Sequence, residues 1–498
     1  MLFRSNQAAG QLLSQSQLSL TAKQLDNRGG QVQAKGNLTA NLSDWLNNEA
    51  SLMRAGQTLS LTANRIDNQN TQGKDQGLEA QTVSLSAEQI QNQQGAIRAN
   101  QGMSIRSSGQ LDNSAGLISA LINLSINDLN AQANSNVANK TLAITNSNGT
   151  LIAGEQLSFD LASLSGDGQV LSQKDLSIKL SQDYTHNSNA QLQANANARL
   201  ETLGTLRNLG TLQAGNSFTL IANAIDNPYQ SQILSDRLKL QSVSTLDNRG
   251  LINGIDTFID TMTLNNLGTG RIYGDHLAIQ ADTVNNLDET VNGNTQAAVI
   301  AARERLDIGA NTINNREHAM LFSLGDIVVG GLLDNQYQAI NQARVLNNNS
   351  ATIEAMNNLV LSAGEINNTN QHLETQQVQI LSEDRHEYQG QQFFYGHYAD
   401  PNPQRYQANE VSFVSDTLSQ GLTRLLRPNT ATSTSQDYMN YYEYQFTRTV
   451  TETQVTKTDP GQILSGAAMR ISGGTLRNLD SQIIAGGDLD TQLATLNN

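Results

Sequence analysis

Cysteine is absent from the 498 residues, which excludes a disulfide framework, a thiolate nucleophile and a cysteine-ligated zinc site. Aromatic residues make up 4% and hydrophobic residues 38%, too few for several large compact cores. Charge is also sparse, at 15%, so the chain is not a highly charged disordered one. Lys and Arg form no stripe and the net charge is −15, against sequence-independent nucleic-acid binding, which needs clustered cations to neutralise phosphates. No segment approaches the ~20 apolar residues of a membrane span. The opening "MLFRSNQAAGQLLSQ" has no apolar run of signal-peptide length. The pattern described next is already running at residue 1, so an interior piece of a longer chain is expected.

What the sequence does have is Asn, Gln, Ser, Thr, Gly and Ala around short aliphatic alternations. One phrase, an aliphatic residue followed by a polar residue and Asn, recurs at Leu25-Asp26-Asn27, Leu46-Asn47-Asn48, Ile66-Asp67-Asn68, Ile90-Gln91-Asn92 and Leu111-Asp112-Asn113. It returns from Leu206-Arg207-Asn208 through Ile366-Asn367-Asn368, including Leu333-Asp334-Asn335, and again at Leu476-Arg477-Asn478. Steps lie mostly near 20 residues, and the phrase fades between about 120 and 205. Between phrases run alternations such as Leu59-Ser60-Leu61-Thr62-Ala63 and Leu277-Ala278-Ile279-Gln280-Ala281, which predict strands with one buried face.

A period of this size marks a repeat architecture. Leucine-rich repeats are disfavoured: Gly56 and Gly215 stand where that motif wants Leu, and the rest of the unit reads as strand rather than helix. Short strands separated by Gly and Asn turns instead predict the coils of an all-β solenoid. Strands would pair in parallel one coil above the next, at about 4.8 Å, and each coil would depend on its neighbours for burial. Asn suits the corners because it tolerates left-handed backbone, and stacked Asn side chains can form amide ladders. Roughly 20 coils would stack to a length on the order of 100 Å.

From Glu383 to Gly461 the composition changes, with eight of twelve tyrosines and four of five prolines. "YYEYQFTRTVTETQV" (441–455) predicts a strand with Tyr442, Tyr444 and Phe446 on one face, and "HEYQGQQFFYGHY" (386–398) its antiparallel partner. A short helix is expected over 417–427. The domains expected are repeats over 1–382, an aromatic-rich β insertion over 383–461 and resumed repeats over 462–498. Tyr and Arg are enriched at protein interfaces, which makes Tyr395, Tyr398, Tyr406, Arg424, Arg427, Tyr441, Tyr442 and Tyr444 candidate partner contacts. The alternative is a structural excursion whose tyrosines pack onto the solenoid flank and close its side.

Catalytic chemistry has little support. Asp26, Asp67, Asp112, Asp226 and Asp247 recur inside the repeat phrase and read as corner residues, not as the opposed pair that glycoside hydrolysis requires. The six histidines form no H-x-x-x-H or H-E-x-x-H spacing; only His386 and His397 are near enough for a hairpin to join them on a metal. No phosphate loop or nucleophile elbow appears. No catalytic, cofactor or metal residue is assigned, and no small-molecule substrate or nucleic acid is expected.

"LDNRGGQVQAKGNLTANL" (25–42), "LNNEASLMRAGQTLSLTANRIDN" (46–68) and "LRNLDSQIIAGGDL" (476–489) resemble the haemagglutinin repeats of filamentous haemagglutinin-like exoproteins, a family that includes effectors of contact-dependent growth inhibition. The resemblance extends over most of the chain. It implies a right-handed parallel β-helix, export through an outer-membrane two-partner-secretion transporter, and display on a Gram-negative surface facing a receptor on a target or host cell. A structural and adhesive segment without enzyme activity is therefore expected. The alternative is a carbohydrate-active β-helix enzyme.

Overall fold

The computed structural model describes residues 3–5, 9–130, 140–393, 399–416 and 423–498. The alternating segments are short strands joined by tight turns, and no α-helix occurs among the described residues. Two compact units emerge, Met1–Gln371 with Asp459–Asn498, and His372–Thr458.

The first unit is a parallel β-solenoid of about 22 turns. A representative turn consists of Gln31–Ala34, Leu38–Leu42 and Trp45–Asn47. Val32 pairs with Leu12 one turn earlier and with Met53 one turn later. That register continues through every turn to Ile483, always with an apolar residue at this position. The buried side chains form one continuous cluster from Leu20 to Leu476. Full burial of a Leu or Ile is worth roughly 1.5–3 kcal/mol, but one turn has nothing to bury against until another covers it. The register survives the second unit: Ile353 pairs with Ile463 and Asn368 with Asn478.

The corners differ from expectation in one respect. Asn of the repeat phrase points inward and is buried at Asn27, Asn48, Asn68, Asn92 and Asn113. The left-handed residue lies two positions later, at Ala50 (φ 52°), Asn70 (φ 57°), Gln94 (φ 51°) and Ala115 (φ 51°). The Asn carbonyl then accepts from the third residue on, as in Gly95 N to Asn92 O at 2.9 Å and Gly116 N to Asn113 O at 2.9 Å, closing a four-residue turn. Gly116 is required by space: a Cβ there would lie 2.2 Å from Asn92 O.

Two stretches depart from the sequence pattern. Leu333-Asp334-Asn335 is not a rung; it belongs to a surface excursion containing the antiparallel pair Leu332–Leu333 and Ala339–Ile340. In the faded region the turns persist, with Ile144, Leu164 and Tyr184 at the aliphatic position and Asn146, Gly166 and His186 at the Asn position.

The second unit is a five-stranded antiparallel sheet in the order Arg405–Gln407, Glu374–Phe393, Tyr438–Lys457, Thr423–Pro428, Val411–Asp416. The two long strands pair as the sequence implied, with His386 opposite Gln445 and Arg385 opposite Phe446. The first of them begins at Glu374, ahead of the composition change. Of the helix expected over 417–427, residues 417–422 lie outside the described residues. Thr423–Pro428 is a strand instead, paired with Val411–Asp416; Leu425 and Leu426, on its opposite faces, are both buried.

Candidate functional site

The second unit packs its rings mainly against each other. Tyr388, Leu426 and Tyr438 form its core, with Phe393, Tyr406, Val411, Phe413 and Tyr441 against it. Phe393 stacks on Tyr438 at 4.7 Å, and Phe413 meets Tyr388 edge-on at 5.2 Å. Burial pushes the phenols of Tyr388 and Tyr438 above their usual range.

The expected contact residues divide accordingly. Tyr395 and Tyr398 lie outside the described residues. Tyr406 is half-buried, and its hydroxyl donates to Gln404 Oε1 at 3.2 Å. Tyr441 packs on Tyr388 and Phe413, with ring centroids at 6.0 and 5.7 Å. The Arg424 guanidinium sits 3.7 Å over the Phe413 ring. Arg427 donates through Nε and Nη2 to the two oxygens of the fully buried Asp437, at 2.7 and 2.5 Å. That carboxylate holds the guanidinium above its ordinary value. On the other face, Tyr444 donates to Gln389 Oε1 at 3.0 Å and lies under Arg405 at 4.3 Å.

Tyr442 is different: 53% exposed, beside Tyr444 at 6.2 Å, on the strand that also carries Phe446 (40%) and Val455 (59%). Ile380, on the paired strand, is 55% exposed. Phe446 was placed on one face with Tyr442 and Tyr444 by the sequence; Val455 and Ile380 were not singled out there. The alternation of Tyr442, Tyr444 and Phe446 along one strand is visible in the sequence, but which face remains uncovered is not.

The titratable groups lie where they neutralise one another. Asp26 pairs with Arg28 at 2.8 Å, Asp67 with Arg65 at 2.7 Å and Asp226 with Arg207 at 3.4 Å. Asp112 accepts from Ser114 and Gln93, and Asp247 from Asn265. His386 bonds the Glu443 carboxylate and, with Tyr388, holds it below the usual range. His397 lies outside the described residues. His186 is fully buried. Its Nδ1 bonds Tyr184 Oη at 3.2 Å and its Nε2 donates to Thr211 O at 3.1 Å, while burial lowers its pKa to about 4.

Along the solenoid the buried asparagines form a ladder. Asn27 donates from Nδ2 to Asn48 Oδ1 at 2.8 Å, Asn48 to Asn68 at 2.9 Å, and so on to Asn146. A second run extends from Asn208 to Asn498. Gly166 and His186 occupy the two rungs between.

A family model of the haemagglutinin repeat matches residues 4–115, 187–272, 276–336, 328–384 and 453–492. Its two long gaps, 116–186 and 385–452, fall on the stretch containing those two substituted rungs and on the second unit. Among curated proteins, the chain is 26% identical over 282 residues to "Toxin CdiA" of Yersinia pestis, covering 55% of this chain and 8% of that one. It is also 26% identical over 402 residues to "Deoxyribonuclease CdiA" of Dickeya dadantii (strain 3937), covering 73% of this chain and 11% of that one. The matched region is thus only 8% and 11% of the length of these relatives. No solved structure matches. No helix among the described residues is long and apolar enough to cross a membrane.

Proposed function

Because the chain belongs to the haemagglutinin-repeat family, we propose that it is a stalk segment of a secreted or surface-displayed bacterial exoprotein, of the adhesin or contact-dependent growth-inhibition kind. The observation that carries this reading is the single apolar core running from Leu20 to Leu476. A stack in which every turn repeats the same inward residues supplies length, with little variation in chemistry from rung to rung. A two-partner-secretion transporter is the export partner in this reading, and cysteine-free repeats of marginal individual stability suit passage through a pore before the turns stack. The relatives' printed names refer to a toxin and a deoxyribonuclease; here the segment is assigned the role of spacing such an activity from the producing cell.

The second unit is proposed as an element that touches a target or host cell, through Tyr442 with Phe446. Exposed rings on one strand face support this. The test is excision of 372–458 from the full exoprotein. Asp459 N donates to Asn370 Oδ1 at 3.2 Å, so the ends to be joined are adjacent. A protein that is still exported and displayed but loses cell binding supports the contact role. Unchanged binding removes it and leaves the spacing role. Removal of a whole number of turns from the stalk tests that role: contact efficiency falls with length while display is retained. Unaltered contact after such a shortening would refute spacing.

A further inference from the structure

The outer face of the solenoid carries a cleft of about 590 Å³ whose lining comes from segments between Ser217 and Gln338. Its floor is one outward column on successive rungs, Thr219, Lys239, Phe258, Ala278 and Asp307. Its wall is the excursion over 331–342. Leu333 N donates to Gln280 Oε1 at 2.7 Å and Ala339 N to Asp307 Oδ1 at 2.8 Å, fixing the excursion to the face. Gly309 makes this possible, since a Cβ there would lie 2.4 Å from the Leu332 carbonyl carbon.

At the tip, the Asp334 carboxylate accepts from Gln336 N and Gln338 N at 2.8 and 2.9 Å. Between these two residues Tyr337 has φ 61°, a conformation that bulky side chains avoid and that is retained where surroundings impose it. The ring is thereby held 4.5 Å from that of Phe258. Both rings are only partly covered.

The charges are unbalanced in an informative way. Asp256 is engaged by Arg237 at 3.8 Å and His276 at 3.2 Å, and Asp307 by Arg305 at 2.6 Å. Lys239 has no carboxylate within ion-pair distance among the described residues; its ammonium rests 5.5 Å from the Phe258 ring centre. Around it are hydroxyls and amides from Ser217, Thr219, Gln336 and Gln338. One uncompensated cation, two ring faces and many neutral hydrogen-bonding groups describe a ligand with an anionic substituent, an apolar C–H face and several hydroxyls.

We propose that this cleft binds a carboxylate-bearing sugar unit of an acidic saccharide, with the carboxylate on Lys239 and the ring against Phe258 and Tyr337. A charge-assisted bond fixes the acid, and the neutral groups take the hydroxyls. A flexible acidic peptide lacks the ring face, and a neutral sugar leaves the ammonium unmatched. The site does not depend on the stalk reading: binding in solution is expected whether or not the chain acts at a cell surface.

The test is calorimetric titration of the full 498-residue chain with a glucuronate-containing oligosaccharide, its neutral glucose counterpart and oligo-glutamate. Saturable binding is expected for the first, with affinity about tenfold weaker or lost for the other two, as when a charged hydrogen-bond pair is removed. Lys239→Met, which keeps the apolar stem, and Phe258→Ala each reduce binding of the acidic sugar by about tenfold or more. Unchanged far-UV circular dichroism in both variants separates loss of binding from loss of fold. Absence of saturable binding to the acidic sugar, equal binding of either control ligand, or full affinity in either folded variant would overturn the assignment.

Discussion

Asn285 and Asn286 are adjacent on one strand, and their side chains donate in opposite directions along the stack. Asn286 Nδ2 donates to Asn315 Oδ1 at 2.9 Å, towards the C-terminus, and also to Met320 O at 3.0 Å. Asn285 Nδ2 donates to Asn265 Oδ1 at 2.8 Å, towards the N-terminus. The inner direction is set by the backbone carbonyl, which only an NH2 group can serve. The outer direction is set at its end by Asp247, an acceptor, to which Asn265 donates at 2.6 Å. Two amide ladders of opposed polarity therefore run along the same rungs.

The inner ladder is the costly one to break. Asn286→Ala leaves Asn266 Nδ2 with Val299 O alone, and removes the side-chain donor from Asn315 Oδ1 and from Met320 O in a buried strip. A local loss of about 1–3 kcal/mol is expected, read as roughly ten- to hundredfold faster hydrogen exchange at the Asn266 and Asn315 rungs. Asn285→Ala, on the half-buried outer ladder, is expected to cost about 0.5 kcal/mol or less. Equal effects would show that burial does not distinguish the ladders.

His186 gives the solenoid a pH dependence. Burial lowers its folded pKa to about 4, partly opposed by the bond to Thr211 O, against about 6.5 unfolded. The unfolded chain therefore takes up the proton first as pH falls. The stability contribution is fully present above about pH 6.5 and is lost progressively towards pH 4, by roughly 3 kcal/mol. Urea unfolding across that range checks the slope. His186→Asn, which carries the residue type of the following rung, Asn208, is expected to abolish this part of the slope. A slope unchanged in the variant would exclude His186 as its source.

Gly116 has no space for a methyl group, with Asn92 O at 2.2 Å and Asn113 Oδ1 at 2.5 Å from a built Cβ. Gly116→Ala should destabilise the adjoining turns by about 1–3 kcal/mol through overpacking. Gly102, whose Cβ would meet nothing nearer than Asn123 O at 3.9 Å, is the control: Gly102→Ala should be nearly neutral in the same hydrogen-exchange measurement.

In the second unit, Arg427→Ala strands the buried Asp437 carboxylate. It should melt that unit first, seen as loss of near-ultraviolet tyrosine dichroism while the far-ultraviolet β signal of the solenoid persists. Tyr442→Ala should leave both signals intact. Retention of the tyrosine signal in Arg427→Ala would mean that the ion pair is dispensable.

The sequence by itself determined the solenoid. Leu, Ile and Val at a constant step, with alternation between, specify which side chains face inward, because a strand's period of two and a parallel register leave no other continuous burial. Asn at Asn27, Asn48 and Asn68 was legible as a repeated corner and as a possible ladder. The conformation of the corner was not: left-handed Ala50, Gln94 and Ala115 have no compositional signal, since the constraint comes from stacking on the turn below. Ile144-Thr145-Asn146 has the form of the repeat phrase inside the stretch read as faded, a signal that the sequence reading missed, whereas the buried pair Tyr184 and His186 had no such signal. The candidate contact residues were readable only as an unusual composition; packing separated Tyr388, Tyr438 and Tyr441 inside from Tyr442 outside. Tertiary structure alone brought Lys239, Phe258 and Tyr337 together, because rung stacking and a folded-back excursion join residues about a hundred positions apart, and no local pattern encodes that meeting.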